Sequence, residues 1–511
     1  MTQGMAGWLG HPRRSFALFG GLGLCAATGQ APLGLAPVTL VSFAYALWLL
    51  QRSPLGGRAL AWRGWALGTG YFAGALFWIV EPFLVDIARH GWMAPFALIG
   101  LAGGLALFWA LAFGLAGRIG RGQFALWAAV FWTLAEVLRG LVFTGFPWAA
   151  PGHIWIGWPQ MQLAALAGPD ALTALTLFAA ALPAVFRPRW LRGAALGVAL
   201  VLAPLPYGLW RLGQEAEVRA EPVTIRLLQP NAPQHLKWAR EMVPIWFQRN
   251  LDMSAALGAE GGRPDLIVWP ETAVPALLNG GEETLGVMAQ AAGGVPMVFG
   301  IQRWEGGFPR NSFASLTAEG DLGPIYDKSH LVPFGEYMPL SALFDRLGIG
   351  ALAALAPGGY APGAGLVPVD LGGKLGQVLP LICYEAIFPH DIRAATGPRA
   401  GWILQITNDA WFGAISGPYQ HLAQARLRAV ETGLPVLRSA NTGVSAVIDA
   451  RGQLQGQLAL NTDGFLDADL PGMMAEPPFQ RFGNWPLMLA LGLVALGLWR
   501  RMALDPDTEA P

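Results

Sequence analysis

Val378-Leu379-Pro380-Leu381-Ile382-Cys383-Tyr384-Glu385 is an apolar strand that ends on a thiol, with a carboxylate two residues further on. The only other cysteine of the 511-residue chain is Cys25, in an apolar N-terminal stretch where it reads as a small filler. Cys383 is therefore expected to be a free thiol, and a lone thiol at a strand end is either an inert core residue or a nucleophile. Two further blocks bear on that choice. Glu271 closes the apolar strand Leu266-Ile267-Val268-Trp269-Pro270, and Lys328 stands in Tyr326-Asp327-Lys328-Ser329-His330-Leu331-Val332-Pro333-Phe334-Gly335-Glu336. A carboxylate, an ammonium and a thiol near strand ends supply a base, a cation and a nucleophile. Taken singly, Cys383 reads as a buried structural cysteine, Glu271 as a turn residue and Lys328 as a solvated charge. Together, in this order and among these neighbours, the catalytic reading outweighs those three.

The composition says where such chemistry would happen. The chain is 54% hydrophobic and only 13% charged, about half the charge of an ordinary soluble domain. Its 33 basic and 33 acidic residues cancel, which argues against a nucleic-acid partner. Apolar stretches long enough to span a bilayer lie at roughly 15–31, 33–50, 60–80, 94–116, 124–144, 162–186 and 192–211, with one more near 485–500. The first follows Arg13 and Arg14 and could pass for a signal peptide, but the spans after it favour a retained helix. Arg52, Arg58 and Arg63, then Arg118 and Arg121, then Arg187, Arg189 and Arg192, fall in alternate loops, and Arg500 and Arg501 follow the last span. Basic loops mark the cytoplasmic side. The expected organisation is a membrane domain over 1–215, an exported domain over 218–480, a final span over 484–502 and a cytoplasmic tail over 503–511.

Within the exported stretch, strands are expected at Val223–Leu228, Leu266–Trp269, Pro296–Ile301, Ser312–Thr317, Gln377–Cys383, Trp402–Thr407, Val436–Ala440 and Ser445–Asp449. Helices are expected at Pro233–Leu257, Glu282–Ala292 and Gln420–Gly433, and a hairpin turn at Asp449-Ala450-Arg451-Gly452. Strands mixed with helices indicate a layered α/β domain. The apolar, glycine-rich segment 345–366 is either a loop packed on the core or a lid that dips into lipid. His330, His390 and His421 are scattered, without the spacing of a metal site, and no phosphate loop is recognisable. No metal, cofactor or nucleotide is expected.

The chain resembles the apolipoprotein N-acyltransferase family of membrane-embedded nitrilase-superfamily enzymes over nearly its whole length. The blocks that carry the resemblance are Phe146-Pro147-Trp148, Gln229-Pro230-Asn231, Trp269-Pro270-Glu271-Thr272, the Lys328–Glu336 run, Cys383-Tyr384-Glu385, Thr407-Asn408-Asp409-Ala410-Trp411-Phe412-Gly413 and Arg438-Ser439-Ala440-Asn441-Thr442-Gly443. One departure is Ala414-Ile415-Ser416, where an acidic or hydroxyl residue is expected first. The resemblance implies a polytopic α-helical membrane domain joined to an exported nitrilase-like α-β-β-α sandwich. It implies Glu271, Lys328 and Cys383 as catalytic residues. Glu336 would partner Lys328, and Glu385 would orient the site or anchor a loop. Tyr384 and Trp238 would line an acyl or headgroup pocket, with Trp148 facing it from the membrane half. Each of these five also has a plainer role: loop carboxylates, core aromatics and an interfacial anchor.

The resemblance further implies a phospholipid acyl donor and a diacylated apolipoprotein acceptor, handled by a monomer among the lipids of a bacterial inner membrane with the catalytic domain on the periplasmic side. The alternatives are a membrane-tethered amidase of the nitrilase superfamily, which would share the acyl-enzyme, and a non-catalytic lipoprotein-binding protein. A transporter is disfavoured because the spans carry few charges, chiefly Glu136 and Arg139.

Overall fold

The computed structural model describes residues 11–51, 53, 55–259, 261–339 and 359–504. Arg52, most of the 345–366 segment and nearly all of the 503–511 tail lie outside the described residues. The chain forms two compact bodies. One comprises Met1–Gln214, Ile415–Thr432 and Glu476–Pro511; the other comprises Glu215–Ala414 and Gly433–Ala475.

The first body is helical. By length and apolar composition, three helices among the described residues could cross a membrane: Ile87–Ile119, Trp190–Leu212 and Trp485–Leu504. Gly57–Ala75 and Phe77–Leu84 make a fourth only if this pair, bent by 68°, counts as one span. Ala36–Leu50 and Pro169–Val185 are apolar but shorter. Several tryptophans fill the interior of this body. Trp109 packs on Trp132 at 4.3 Å between ring centres, and Phe43 packs on both. Glu136 and Arg139, one turn apart in Phe124–Arg139, pair with each other at 2.5 Å and are buried. Trp109 donates its indole N–H to Glu136 at 2.6 Å, and Arg139 donates to the carbonyls of Phe146 and Trp148. The ion pair thus holds the Phe146-Pro147-Trp148 block in place.

The second body is built on two six-stranded sheets. The strands are β1 (Thr224–Gln229), β2 (Leu266–Val268), β3 (Met297–Glu305), β4 (Phe308–Leu316), β5 (Leu322–Asp327), β6 (Val369–Asp370), β7 (Gln377–Ile382), β8 (Trp402–Thr407), β9 (Val436–Ala440), β10 (Ala446–Ile448), β11 (Leu454–Gln457) and β12 (Gly464–Asp469). Their orders are β12-β1-β2-β3-β4-β5 and β11-β10-β9-β8-β7-β6. β1, β2 and β3 run parallel, as do β7, β8 and β9. The sheets face each other: Ser439 on β9 donates to the Leu228 carbonyl on β1 at 2.8 Å. Helices Val243–Ala255 and Glu282–Ala292 cover the outer face of the first sheet, burying Leu251, Leu285 and Met288 against Ile267, Trp269, Met297 and Phe299. This is the α-β-β-α sandwich class. Each of these large apolar side chains contributes about 1.5–3 kcal/mol when taken fully out of water.

Local chemistry explains the boundaries. Glu282–Ala292 opens on two acids that complement its dipole and closes on Gly293 at φ +58°, whose N–H caps the last carbonyls. Helix Pro233–Leu257, as expected from sequence, is shorter: it starts at Val243, and Pro233 opens a single turn closed by Lys237 N–H. Asp449 to Gly452 is a turn between β10 and β11, with Gly452 at φ +77°. The segment expected as helix Gln420–Gly433 is Gly417–Thr432, and it belongs to the helical body although it lies between β8 and β9 in sequence. The 218–480 stretch is therefore not one body. Leu427 and Val430 of this helix pack with Ile154, Trp155 and Met161, and Gln420 accepts the indole N–H of Trp148 at 2.7 Å.

Candidate active site

The parallel strands point their carboxyl ends the same way, where side chains at strand ends converge. Glu271 follows β2, Lys328 follows β5, Cys383 follows β7, Asn408 follows β8 and Asn441 follows β9. Lys328 Nζ lies 2.8 Å from Glu336 Oε1 and 3.6 Å from Glu271 Oε1. Glu271 also accepts from Asn311 Nδ2 at 2.7 Å and from the Asn408 backbone N–H at 2.9 Å. Both carboxylate oxygens are thus held, and the carboxylate has one orientation. Glu336 is fixed in turn by the Val332 N–H at 2.7 Å.

Cys383 is buried and sits at φ +50°, a left-handed conformation uncommon for a residue with a Cβ. Glu385 holds that bend. Its Oε2 accepts from the Ile382 N–H at 2.8 Å, and its Oε1 accepts from the Tyr326 hydroxyl, Ser329 N–H and hydroxyl, and His330 N–H. One fully buried carboxylate therefore ties the segment after Lys328 to the turn bearing Cys383. Burial raises its carboxyl from the usual range, opposed by the donors from Tyr326 and Ile382.

The electrostatics couple the three expected groups. Burial pushes the Cys383 thiol well above its ordinary value; the Glu271 carboxylate adds to this, and the Lys328 ammonium opposes it. The thiol is therefore at rest as S–H, and a thiolate there would first have to give up that proton. Lys328 is desolvated too, but the carboxylates of Glu336 and Glu271 outweigh burial and keep it cationic. Among the described residues no group of three or more His, Cys, Asp or Glu could hold a metal ion.

The sequence comparisons show the family. Residues 224–477 match the carbon-nitrogen hydrolase family, and residues 22–182 match the apolipoprotein N-acyltransferase N-terminal domain. The apolipoprotein N-acyltransferase of Caulobacter vibrioides is 40% identical over 499 residues, covering 93% of this chain and 92% of that one. That of Sinorhizobium medicae is 39% identical over 502 residues, covering 93% of each. The chain belongs to the apolipoprotein N-acyltransferase family. It is an acyltransferase with a carbon-nitrogen hydrolase domain. An amidase of the nitrilase superfamily from Nesterenkonia is 21% identical over 50% of this chain and 93% of that one, with a TM-score of 0.36.

Three further residues singled out from the sequence have surroundings of their own in this N-acyltransferase family member. Tyr384 is buried edge-on against Phe388, 4.9 Å between ring centres. Trp238 is half exposed and lines a groove with Trp246, Phe247, Lys237 and Glu271. Trp148 is in the interior of the helical body, packed on Trp78 and His421 with its N–H given to Gln420. This places it among the core aromatics rather than at an exposed interfacial position. Nothing in the sequence marks Asn311, Asn408 or Lys237 individually. Asn408 lies in a quoted motif and Lys237 adjoins Trp238, but their amide and ammonium contacts are made across strands distant in sequence.

Gly300 on β3 fixes the position of the Glu271 turn. A Cβ there would lie 2.5 Å from Glu271 Cα and 2.7 Å from the Pro270 carbonyl oxygen. Gly300→Ala is expected to displace the Glu271 turn and lower turnover by about 10²-fold, while overpacking costs about 1–3 kcal/mol of stability. Steady-state kinetics beside thermal unfolding check both, and unchanged turnover would separate Glu271 from the rate.

Proposed function

We propose that this chain transfers a fatty acyl group from a phospholipid, through a thioester on Cys383, to the α-amino group of an N-terminal diacylglyceryl-cysteine on a lipoprotein. The observation that carries this reading is the convergence of Cys383, Glu271 and Lys328 at the carboxyl ends of β7, β2 and β5, with the carboxylate and ammonium acting on the thiol. Glu271 takes the thiol proton as sulfur attacks the ester carbonyl. The oxyanion that forms is met by the Lys328 ammonium and the backbone N–H of Tyr384. Collapse breaks the ester C–O bond, and Glu271 returns the proton to the departing lysophospholipid hydroxyl. The acceptor amine then attacks the thioester, its proton passes to Glu271, and the C–S bond breaks to regenerate the thiol.

Glu336 holds Lys328, Glu385 holds the bend at Cys383, and Trp238, half exposed in the groove beside Glu271, contacts lipid near the site. The helical body keeps this chemistry at the outer face of a bacterial inner membrane, an orientation supported by the alternation of basic loops. Both substrates are lipid-anchored there and arrive laterally, which accounts for the large apolar half of the chain.

Mass spectrometry of the intact protein with phospholipid tests the reading. A fatty-acyl mass on the Cys383 peptide is expected, labile to hydroxylamine and discharged by a diacylated lipopeptide. Release of free fatty acid in bulk, with no discharge to the lipopeptide, would instead favour the tethered hydrolase.

A further inference from the structure

Lys237 is the second ammonium of this site, and the mechanism above gives it no task. It follows the single turn opened by Pro233, and only 6% of the residue is exposed. Its Nζ donates to the Glu271 carbonyl oxygen at 3.2 Å and to Thr272 Oγ1 at 2.9 Å. Thr272 sits at φ +46°, a conformation that a β-branched residue holds only when its surroundings impose it. One ammonium therefore grips both residues of a strained turn, and the side chain between those grips is the Glu271 carboxylate. We infer that Lys237 is a positioning residue, which clamps the Glu271–Thr272 turn so that the carboxylate stays aimed at the Cys383 thiol and the Lys328 ammonium. The inference rests on the acyl-transfer reading for what the aimed carboxylate accomplishes, but the clamp itself is a property of the resting protein.

The surroundings of Lys237 bear on when the clamp holds. Burial lowers its ammonium to about 8, while the Glu271 carboxylate and Cys383 oppose that fall. The other elements around it contribute neutral groups: Asn250 from helix Val243–Ala255, Asn441 after β9, and the Trp238 indole, whose ring centre is 5.6 Å from Nζ. Below about pH 8 the ammonium is charged and both hydrogen bonds are charge-assisted. Above it the neutral amine keeps weaker bonds and the turn loosens. Lys328, held up by two carboxylates, does not titrate in this range, so an alkaline loss of function points to Lys237.

The test uses the full chain in detergent and iodoacetamide as a probe of Cys383, which requires no lipid substrate. In the native protein the alkylation rate is expected to flatten above pH 8 instead of rising with hydroxide. Lys237→Met is expected to slow alkylation about tenfold at pH 7.5. Thr272→Val keeps the ammonium but removes its hydroxyl acceptor, and is expected to slow it about threefold. Lys237→Arg, charged at every pH used, is expected to restore most of the rate and to remove the flattening. A Lys237→Met protein that alkylates at the native rate with the native pH curve overturns the clamp. Acylation by phospholipid, measured on the same samples, reports on the other question: a native protein whose thiol alkylates normally yet takes no acyl group overturns the transfer reading and leaves the clamp standing.

Discussion

Cys383→Ala is expected to abolish acylation of a diacylated lipopeptide in phospholipid vesicles, a loss on the order of 10⁶-fold if this nucleophile behaves as others do. The argument is chemical. With sulfur absent no thioester forms, and the donor ester and acceptor amine would have to react directly in a site built around a third atom. The fold should survive, since alanine removes one buried atom from a bend held by Glu385 rather than by the thiol. Cys383→Ser is a sharper control: it keeps the shape and hydrogen-bonding capacity, but its hydroxyl is far less acidic, so transfer should remain almost absent. Product analysis by mass spectrometry, with thermal unfolding to confirm folding, provides the check. Lipopeptide conversion at native speed by the alanine variant would end the proposal.

Lys328→Met should come next in size. The ammonium stands between Glu336 at 2.8 Å and Glu271 at 3.6 Å, almost wholly out of water. In the proposed mechanism, removing it takes away the cation that meets the oxyanion, worth about 3–4 kcal/mol or 10²–10³-fold. It also leaves two carboxylates facing each other around an apolar side chain, and breaking a buried pair from one side costs about 3–5 kcal/mol. The double variant Lys328→Met, Glu336→Gln separates these effects: it should recover much of the stability and none of the turnover. Lys328→Arg should fare poorly too, because a planar fork does not replace a compact charge between two acids. Single-turnover acylation of Cys383 reads the chemical step, and a methionine variant within tenfold of native would remove Lys328 from it.

The sequence was most legible where chemistry and burial coincide. Strand cores such as Leu266–Val268 and Trp402–Leu404 are continuous apolar runs, buried throughout, so their pattern is legible in the sequence. The strands β5, β6, β11 and β12 were not anticipated. They are short or only partly buried, and β5 contains Gly323-Pro324, residues that argue against a strand unless it lies at an edge. The start of helix Val243–Ala255 is not legible, because Pro233 suits either a first helical turn or an isolated one, and only tertiary contacts choose. Glu271, Lys328 and Cys383 can be picked out because each stands near the end of an apolar strand, in a block that carries the family resemblance. The groups that hold them could not: Asn311 and Asn408 are ordinary amides until the strands bring them to the Glu271 carboxylate.

The helix Gly417–Thr432 leaves the strand-bearing half of the polypeptide after β8 and returns to it before β9. A protein engineer who amputates the greasy N-terminus to obtain a water-soluble catalyst would keep this rod and discard what shelters it. Leu427 and Val430 would lose Ile154, Trp155 and Met161, and the Gln420 amide would lose the indoles of Trp78 and Trp148. Such a fragment is expected to clump unless the rod is repainted with hydrophilic residues, because the apolar side chains it buried would face water.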